Sequence, residues 1–182
     1  MSIIFVETLD KTPYEKGVWE ILCECDQEFL PPLSSRESSS QKTLGGLEAP
    51  KTLLPYRYFE VMKAQNYIIT LDEFGVVTGF MTFIHKYDCD ELAEIGISNY
   101  ITTICVKKDH RNQGLLKQMY GYMDKSLPSA YRLPYMSTRT WSTNAHHLST
   151  LHHLGFYEAY RLENHRGEGI DTIYFYKKVD DE

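Results

Sequence analysis

No apolar run in this sequence approaches the ~20 residues needed to cross a bilayer, so no membrane partner is expected. The opening MSIIFVETLDK has no basic stretch ahead of its short apolar run. It does not read as an export signal, and a cytoplasmic location is expected. Cysteine is scarce, and the positions of Cys23, Cys25, Cys89 and Cys105 form neither paired metal knuckles nor a disulfide framework. Free, reduced thiols are the expectation. No basic patch interrupts a formal net charge of −6, which argues against a general nucleic-acid binder. The acidic balance leans only slightly toward a cationic small substrate. No internal repeat or heptad pattern is visible. The stretch around Gly114 lacks the second Gly followed directly by Lys and Ser or Thr that a Walker phosphate loop needs, and the three-glycine dinucleotide fingerprint is also missing.

What is present is ordinary for a globular chain. The 182 residues are 42% hydrophobic and 24% charged, enough for one domain over 1–182. SIIFVETL (2–9) reads as a strand. A helix follows, with Thr12 and Glu15 spaced as a capping box, Trp19, Leu22, Cys23 and Phe29 as its apolar face, and Pro31-Pro32 as its stop. Residues 31–55 read as a long mobile loop, rich in Ser and Gly. A short helix over 56–66 precedes two antiparallel strands that turn at Gly75. NYITTICVKK (99–108) is a further strand, LLKQMYGYMDKSL (115–127) a helix, YMSTRTWS (135–142) a strand, and NAHHLSTLHHLGF another helix. Two strands close the chain. The fold class is mixed α/β: a mostly antiparallel sheet with one central parallel strand–helix–strand crossover spanning 99–142.

The stretch ITTICVKKDHRNQGLLKQM carries the chemistry. Gly114 permits a tight turn at a helix start. The amides of Asn112, Gln113, Gly114, Leu115 and Leu116 then point outward at the positive end of the helix dipole, with Arg111 and Lys117 adding charge. That is a site for phosphate or pyrophosphate. VKKDHRNQGLLKQM resembles the signature of the GNAT superfamily, the GCN5-related N-acetyltransferases. Its pattern is an Arg or Gln, two residues, a Gly, one residue, and then a Gly or Ala. Arg111 and Gly114 match, whereas Leu116 stands where Gly or Ala is usual. Asn144 and Leu154-Gly155-Phe156 match a second family feature, and the resemblance covers roughly residues 56–178.

The resemblance implies a GNAT acyl-CoA N-acyltransferase fold whose cofactor strand splays from its neighbour, often at a β-bulge. Acetyl-CoA would enter there. Its pantetheine arm would pair with Ile104, Cys105 and Val106, its pyrophosphate would lie on residues 111–117, and Asn144 would hydrogen-bond it. The Val106 amide would serve the oxyanion. The family's usual acid and base residues are missing. Leu151 stands where many members have Tyr, and Arg139 and Tyr100 stand where several have Glu. His147 is a candidate general acid, with Tyr100, Tyr157, Glu94 and His85 as unranked others. Cys105 as an acyl-carrying nucleophile is weaker than Cys105 as a core residue.

The four histidines at 146, 147, 152 and 153 do not read as a metal site. Only His146 and His153 share a helix face, and they lie ~10 Å apart along the axis, too far for one zinc ion. Leu148, Leu151 and Leu154 form the expected buried stripe. The resulting expectation is an acetyl-CoA-dependent N-acetyltransferase. It would acetylate a primary amine of a small molecule or peptide by direct attack in a ternary complex, with no metal. A protein N-terminal or lysine acetyltransferase and a non-catalytic acyl-CoA-binding module are the alternatives. The assembly is open between monomer and homodimer.

Overall fold

The computed structural model describes residues 1–180. The elements run β1 (Ser2–Val6), α1 (Glu15–Cys25), α2 (Tyr56–Met62), β2 (Asn66–Leu71), β3 (Val77–Tyr87), β4 (Ser98–Val106), α3 (Leu115–Lys125), β5 (Tyr135–Trp141), α4 (Ala145–His153), β6 (Tyr157–Gly167) and β7 (Ile170–Lys178). The strands form one seven-stranded sheet in the order β1-β2-β3-β4-β5-β7-β6. All pairs are antiparallel except β4 with β5, the ends of the crossover that contains α3. No described helix is long and apolar enough to cross a membrane.

Strand alternation divides the core into two layers. Tyr67, Ile69, Leu71 and Phe80 pack on one face against Val18, Ile21 and Leu22 of α1 and Tyr58, Phe59 and Met62 of α2. Ile68, Met81, Ile101, Met136, Ile173 and Phe175 pack on the other, against Met119 and Met123 of α3 and Leu151 of α4. Each fully buried side chain of this size contributes about 1.5–3 kcal/mol. Gly17 lets α1 sit close to the sheet, since a Cβ there would lie 2.9 Å from Val77 Cγ2.

Three local expectations are corrected. The Thr12–Glu15 capping box does not form. The Thr12 hydroxyl instead donates to the Leu9 carbonyl at 2.7 Å, and the helix starts after Tyr14 without a side-chain cap. Helix α1 ends at Cys25, short of the prolines, and buries Val18, Ile21, Leu22 and Cys25, while Cys23 is only half-buried. The segment read as a mobile loop is tied down through residue 44. Leu33 and Leu44 are buried, and Asp26 accepts from the Ser34 amide at 2.6 Å and its hydroxyl at 2.7 Å. Arg139 donates to the carbonyls of Ser39 and Gln41, and His165 Nε2 lies 2.5 Å from the Lys42 carbonyl.

Candidate active site

The sheet opens at its centre. Strand β4 stays paired to β3 as far as Val106 opposite Gly79, but meets β5 only at Asn99–Met136, Tyr100–Ser137 and Ile101–Thr138. The Thr138 hydroxyl closes the paired part by donating to the Ile101 carbonyl at 3.0 Å. Beyond it, the β3–β4 register skips Thr102, a bulge that turns β4 away from β5. A cavity of about 640 Å³ fills the opening and reaches both faces of the sheet. Leu115, Lys117, Asn144 and His147 line one end, and Cys25, Glu28, Phe29, Arg139 and Trp141 the other.

Alternation along β4 decides which backbone groups face the opening. The Lys107 amide donates to the Thr78 carbonyl. In an antiparallel ladder the residues two and four before it, Cys105 and Thr103, therefore also turn their amides and carbonyls toward β3. Ile104 and Val106 point theirs into the cavity. Cys105 is thus removed from the pairing edge expected of it. Its thiol is buried against Cys25, and burial pushes its pKa well up, which disfavours a nucleophilic role. The hydrogen bond from Cys105 holds the Cys25 thiol down.

The turn from β4 into α3 forms an amide cradle. Asn112 (φ 60°) and Gly114 (φ 76°) are both left-handed, a pattern that turns successive N–H groups to one side. Among the described residues, no protein acceptor takes the amides of Asn112, Gln113, Gly114, Leu115, Leu116 or Lys117. The positive end of α3 lies behind them. Leu115 is buried, and Leu116 packs its side chain against the core on the α3 side while lining the cavity.

Arg111 behaves differently from expectation. Its guanidinium grips Glu28 with two bonds of 2.9 Å and donates through Nε to the Val106 carbonyl at 3.1 Å. This clips the segment after α1 to the end of β4, and its charge is directed to Glu28 rather than to the cradle. Glu28 raises the Arg111 pKa in return. Lys117 is exposed at the cavity rim and is the cation left to the cradle. Asn144 lies at the start of α4 and lines the cavity, its Nδ2 donating to the Thr140 hydroxyl at 3.1 Å.

His147 reaches the cavity, with Nε2 2.9 Å from the Tyr120 hydroxyl. Burial, and then the neighbouring His146, lower its pKa to about 4. The imidazole is neutral at pH 7, so it holds no proton suited to a leaving thiolate. Tyr120, buried beneath it, was not legible in the sequence because it comes from α3 rather than α4. The position expected for the family tyrosine, Leu151, is core. Tyr100 is buried and stacked on Tyr87, His85 bonds Asn99, and Tyr157 and Glu94 are exposed, all outside the cavity lining. Among the described residues no group of three His, Cys, Asp or Glu side chains could hold a metal ion. Glu28, Phe29 and Trp141 are lining residues that carried no motif.

The chain, with its splayed parallel pair and amide cradle, has the fold of the GNAT acetyltransferases. A candidate streptothricin acetyltransferase from Bacillus anthracis in complex with acetyl coenzyme A is similar, with a TM-score of 0.52 and 19% identity. The match covers 64% of this chain and 63% of that one, so this chain spans under two thirds of that relative. A candidate acetyltransferase from Salmonella typhimurium with its cofactor acetyl-CoA superposes at 0.60 and 16% identity, over 100% of this chain and 96% of that one. An aminoglycoside 6'-N-acetyltransferase complexed with coenzyme A gives 0.64 and 13%, over 98% of both chains. No family model and no curated protein sequence matches the chain.

Proposed function

We propose that the protein is an N-acetyltransferase that moves an acetyl group from acetyl-CoA to a primary amine of a small molecule or peptide. The observation that carries this is a single cavity with unbonded amides at one end, an open strand edge in the middle and an aromatic, charged recess on the opposite face. The amides of 112–117, with Lys117, suit a pyrophosphate. The open amide and carbonyl of Ile104 suit an amide of a pantetheine arm. Since Arg111 occupies the Val106 carbonyl, the Val106 contribution is its N–H, directed at the thioester oxygen where charge develops. An amine entering from the α1 side would attack the carbonyl carbon directly. The C–N bond forms, the C–S bond breaks, the thiolate of coenzyme A leaves, and the nitrogen loses its proton to solvent. Proximity and the oxyanion donor supply most of the acceleration, because the family's usual acid and base positions hold Leu151, Arg139 and Tyr100 here.

The lack of those residues favours one second reading, a non-catalytic acyl-CoA-binding module. A protein N-terminal or lysine acetyltransferase is the other acceptor class. Calorimetric titration with acetyl-CoA, followed by free-thiol release with amines and peptides, separates them. One cofactor site per chain with amine-dependent thiol release supports the proposal. Binding without release across the panel supports the module, and release with peptides alone supports the protein-directed class. No binding at millimolar acetyl-CoA refutes the proposal.

A further inference from the structure

Three arginines gather at the α1 end of the cavity, none of them in a direct ion pair among the described residues. Arg139 projects from β5 and lines the cavity. Arg36 lies over the ring of Phe29 at 5.9 Å and Arg166 over the ring of Trp141 at 5.2 Å. Phe29 and Trp141 both line the cavity, 6.1 Å apart, so these two cations stand behind its aromatic wall.

Every hydrogen-bond partner of the three is a neutral oxygen. Arg36 donates to the Pro31 carbonyl, Arg166 to the Leu30 carbonyl and the Thr172 hydroxyl, and Arg139 to two carbonyls and the Tyr174 hydroxyl. The nearby Asp26 carboxylate, bound by Ser34 and Gln27, offsets Arg36 only through space and less than burial opposes it, and Glu28 is paired with Arg111. Arg36 and Arg166 are only 5% and 7% exposed. A charge so placed is costly without a counter-charge. Tethering a loop by its carbonyls needs only neutral donors, so tethering alone does not account for three full charges.

Donors also remain. A guanidinium carries five N–H groups. Arg139 Nε, Arg36 Nη1 and Arg166 Nη2 have no acceptor among the described residues. No fully enclosed side-chain nitrogen or oxygen lacks a partner among the described residues, so each of these donors keeps some solvent contact, and of the three arginines Arg139 is the one that lines the cavity. Burial, with the other arginines adding to it, pulls Arg36 to about 10 and Arg166 to about 9.

We propose that the acceptor amine carries an oxyanion, a carboxylate or phosphate ester, which binds Arg139 while Arg36 and Arg166 hold the recess positive. The acceptors are then amino acids or aminoalkyl phosphates rather than polyamines or aminosugars. Phe29 and Trp141 would flank the carbon skeleton. This rests on the N-acetyltransferase reading and opposes the slight lean toward a cationic substrate drawn from net charge. Whole-chain charge is an average, whereas recognition depends on the charge at one recess.

The test uses the full chain. Acetyl-CoA binding is first measured by calorimetry, and its absence refutes the function rather than this inference. Thiol release is then compared for glycine, L-methionine and L-glutamate against their methyl esters, and for phosphoethanolamine against ethanolamine, with spermidine as a cationic control. Acids should exceed esters in kcat/KM by about tenfold or more, the worth of a charge-assisted hydrogen bond. The phosphate arm tells which oxyanion is preferred. Arg139→Gln should raise the acceptor KM and collapse the acid-to-ester ratio with the acetyl-CoA affinity unchanged, and Arg139→Lys should restore part of the ratio. Equal or better use of esters or spermidine overturns the inference, and that comparison needs no variant. If acetyl-CoA binds but none of these amines turns over, the same acids and esters are titrated into coenzyme A-saturated Trp19→Phe protein, with Trp141 fluorescence as the readout. Tighter binding of acids supports the inference, and no preference overturns it.

Discussion

Gly114 links backbone strain to ligand binding in a way that a substitution series can measure. Its φ of 76° is left-handed, and a Cβ built there meets nothing closer than Gln118 Nε2 at 3.9 Å. Steric conflict within the protein is therefore minor, and the cost of Gly114→Ala is conformational, about 1–2 kcal/mol for a left-handed L-residue. That cost can emerge in two places. If the turn keeps its geometry, stability falls, and for a chain of this size each kcal/mol lowers Tm by about 2–4 °C. If the turn relaxes, the amides of 112–117 rotate off the phosphate, and the same energy appears as a weaker acetyl-CoA Kd, about tenfold per 1.4 kcal/mol. The two losses should sum to the conformational cost. Gly114→Asn should lose less, because Asn tolerates this region, as Asn112 at φ 60° already does. Gly114→Val should lose more, because its branched side chain also obstructs the anion. Thermal melts and calorimetric titration on the four proteins give both quantities. Alanine and asparagine variants that match the parent in Tm and Kd together would refute the strained-cradle account.

Asn144→Ala should raise the acetyl-CoA KM several-fold, about 0.5–1.5 kcal/mol for one hydrogen bond, with kcat little changed. An unchanged KM would reduce Asn144 to a strut for Thr140. His147 has its folded-state pKa lowered from 6.5 to about 4, so the unfolded chain takes up its proton first as pH falls. Stability from this group is full above pH 6.5 and is lost down to about pH 4, by at most ~3 kcal/mol. His147→Gln should flatten that part of the stability–pH curve in denaturant titrations while leaving turnover at pH 7 within about tenfold, below the usual loss of a general acid. Asp26→Ala should cost about 1–3 kcal/mol by stranding the Ser34 amide and hydroxyl, and a melt with no shift would show that the 31–44 segment does not depend on this anchor.

The sequence by itself determined the element order, the parallel crossover and the cradle. These features are local. Strand and helix follow from the period of apolar residues, and the tight turn into the cradle follows from Gly114 standing between a β-branched strand and an amphipathic helix. The same locality explains the misreadings. Thr12 and Glu15 have capping-box spacing, yet the Thr12 hydroxyl finds the Leu9 carbonyl first. Residues 33–44 look loose because Asp26, Arg139 and His165, which hold them, lie up to 123 positions away. Only the tertiary structure decided that Arg111 turns to Glu28, that Cys105 faces β3, that Tyr120 reaches His147, and that Arg36 and Arg166 stand behind Phe29 and Trp141 while Arg139 lines the cavity. Composition counts a charge wherever it lies in the chain. The fold decides which charges share a recess and which are left there without a partner, and interaction energies depend on that distance and burial.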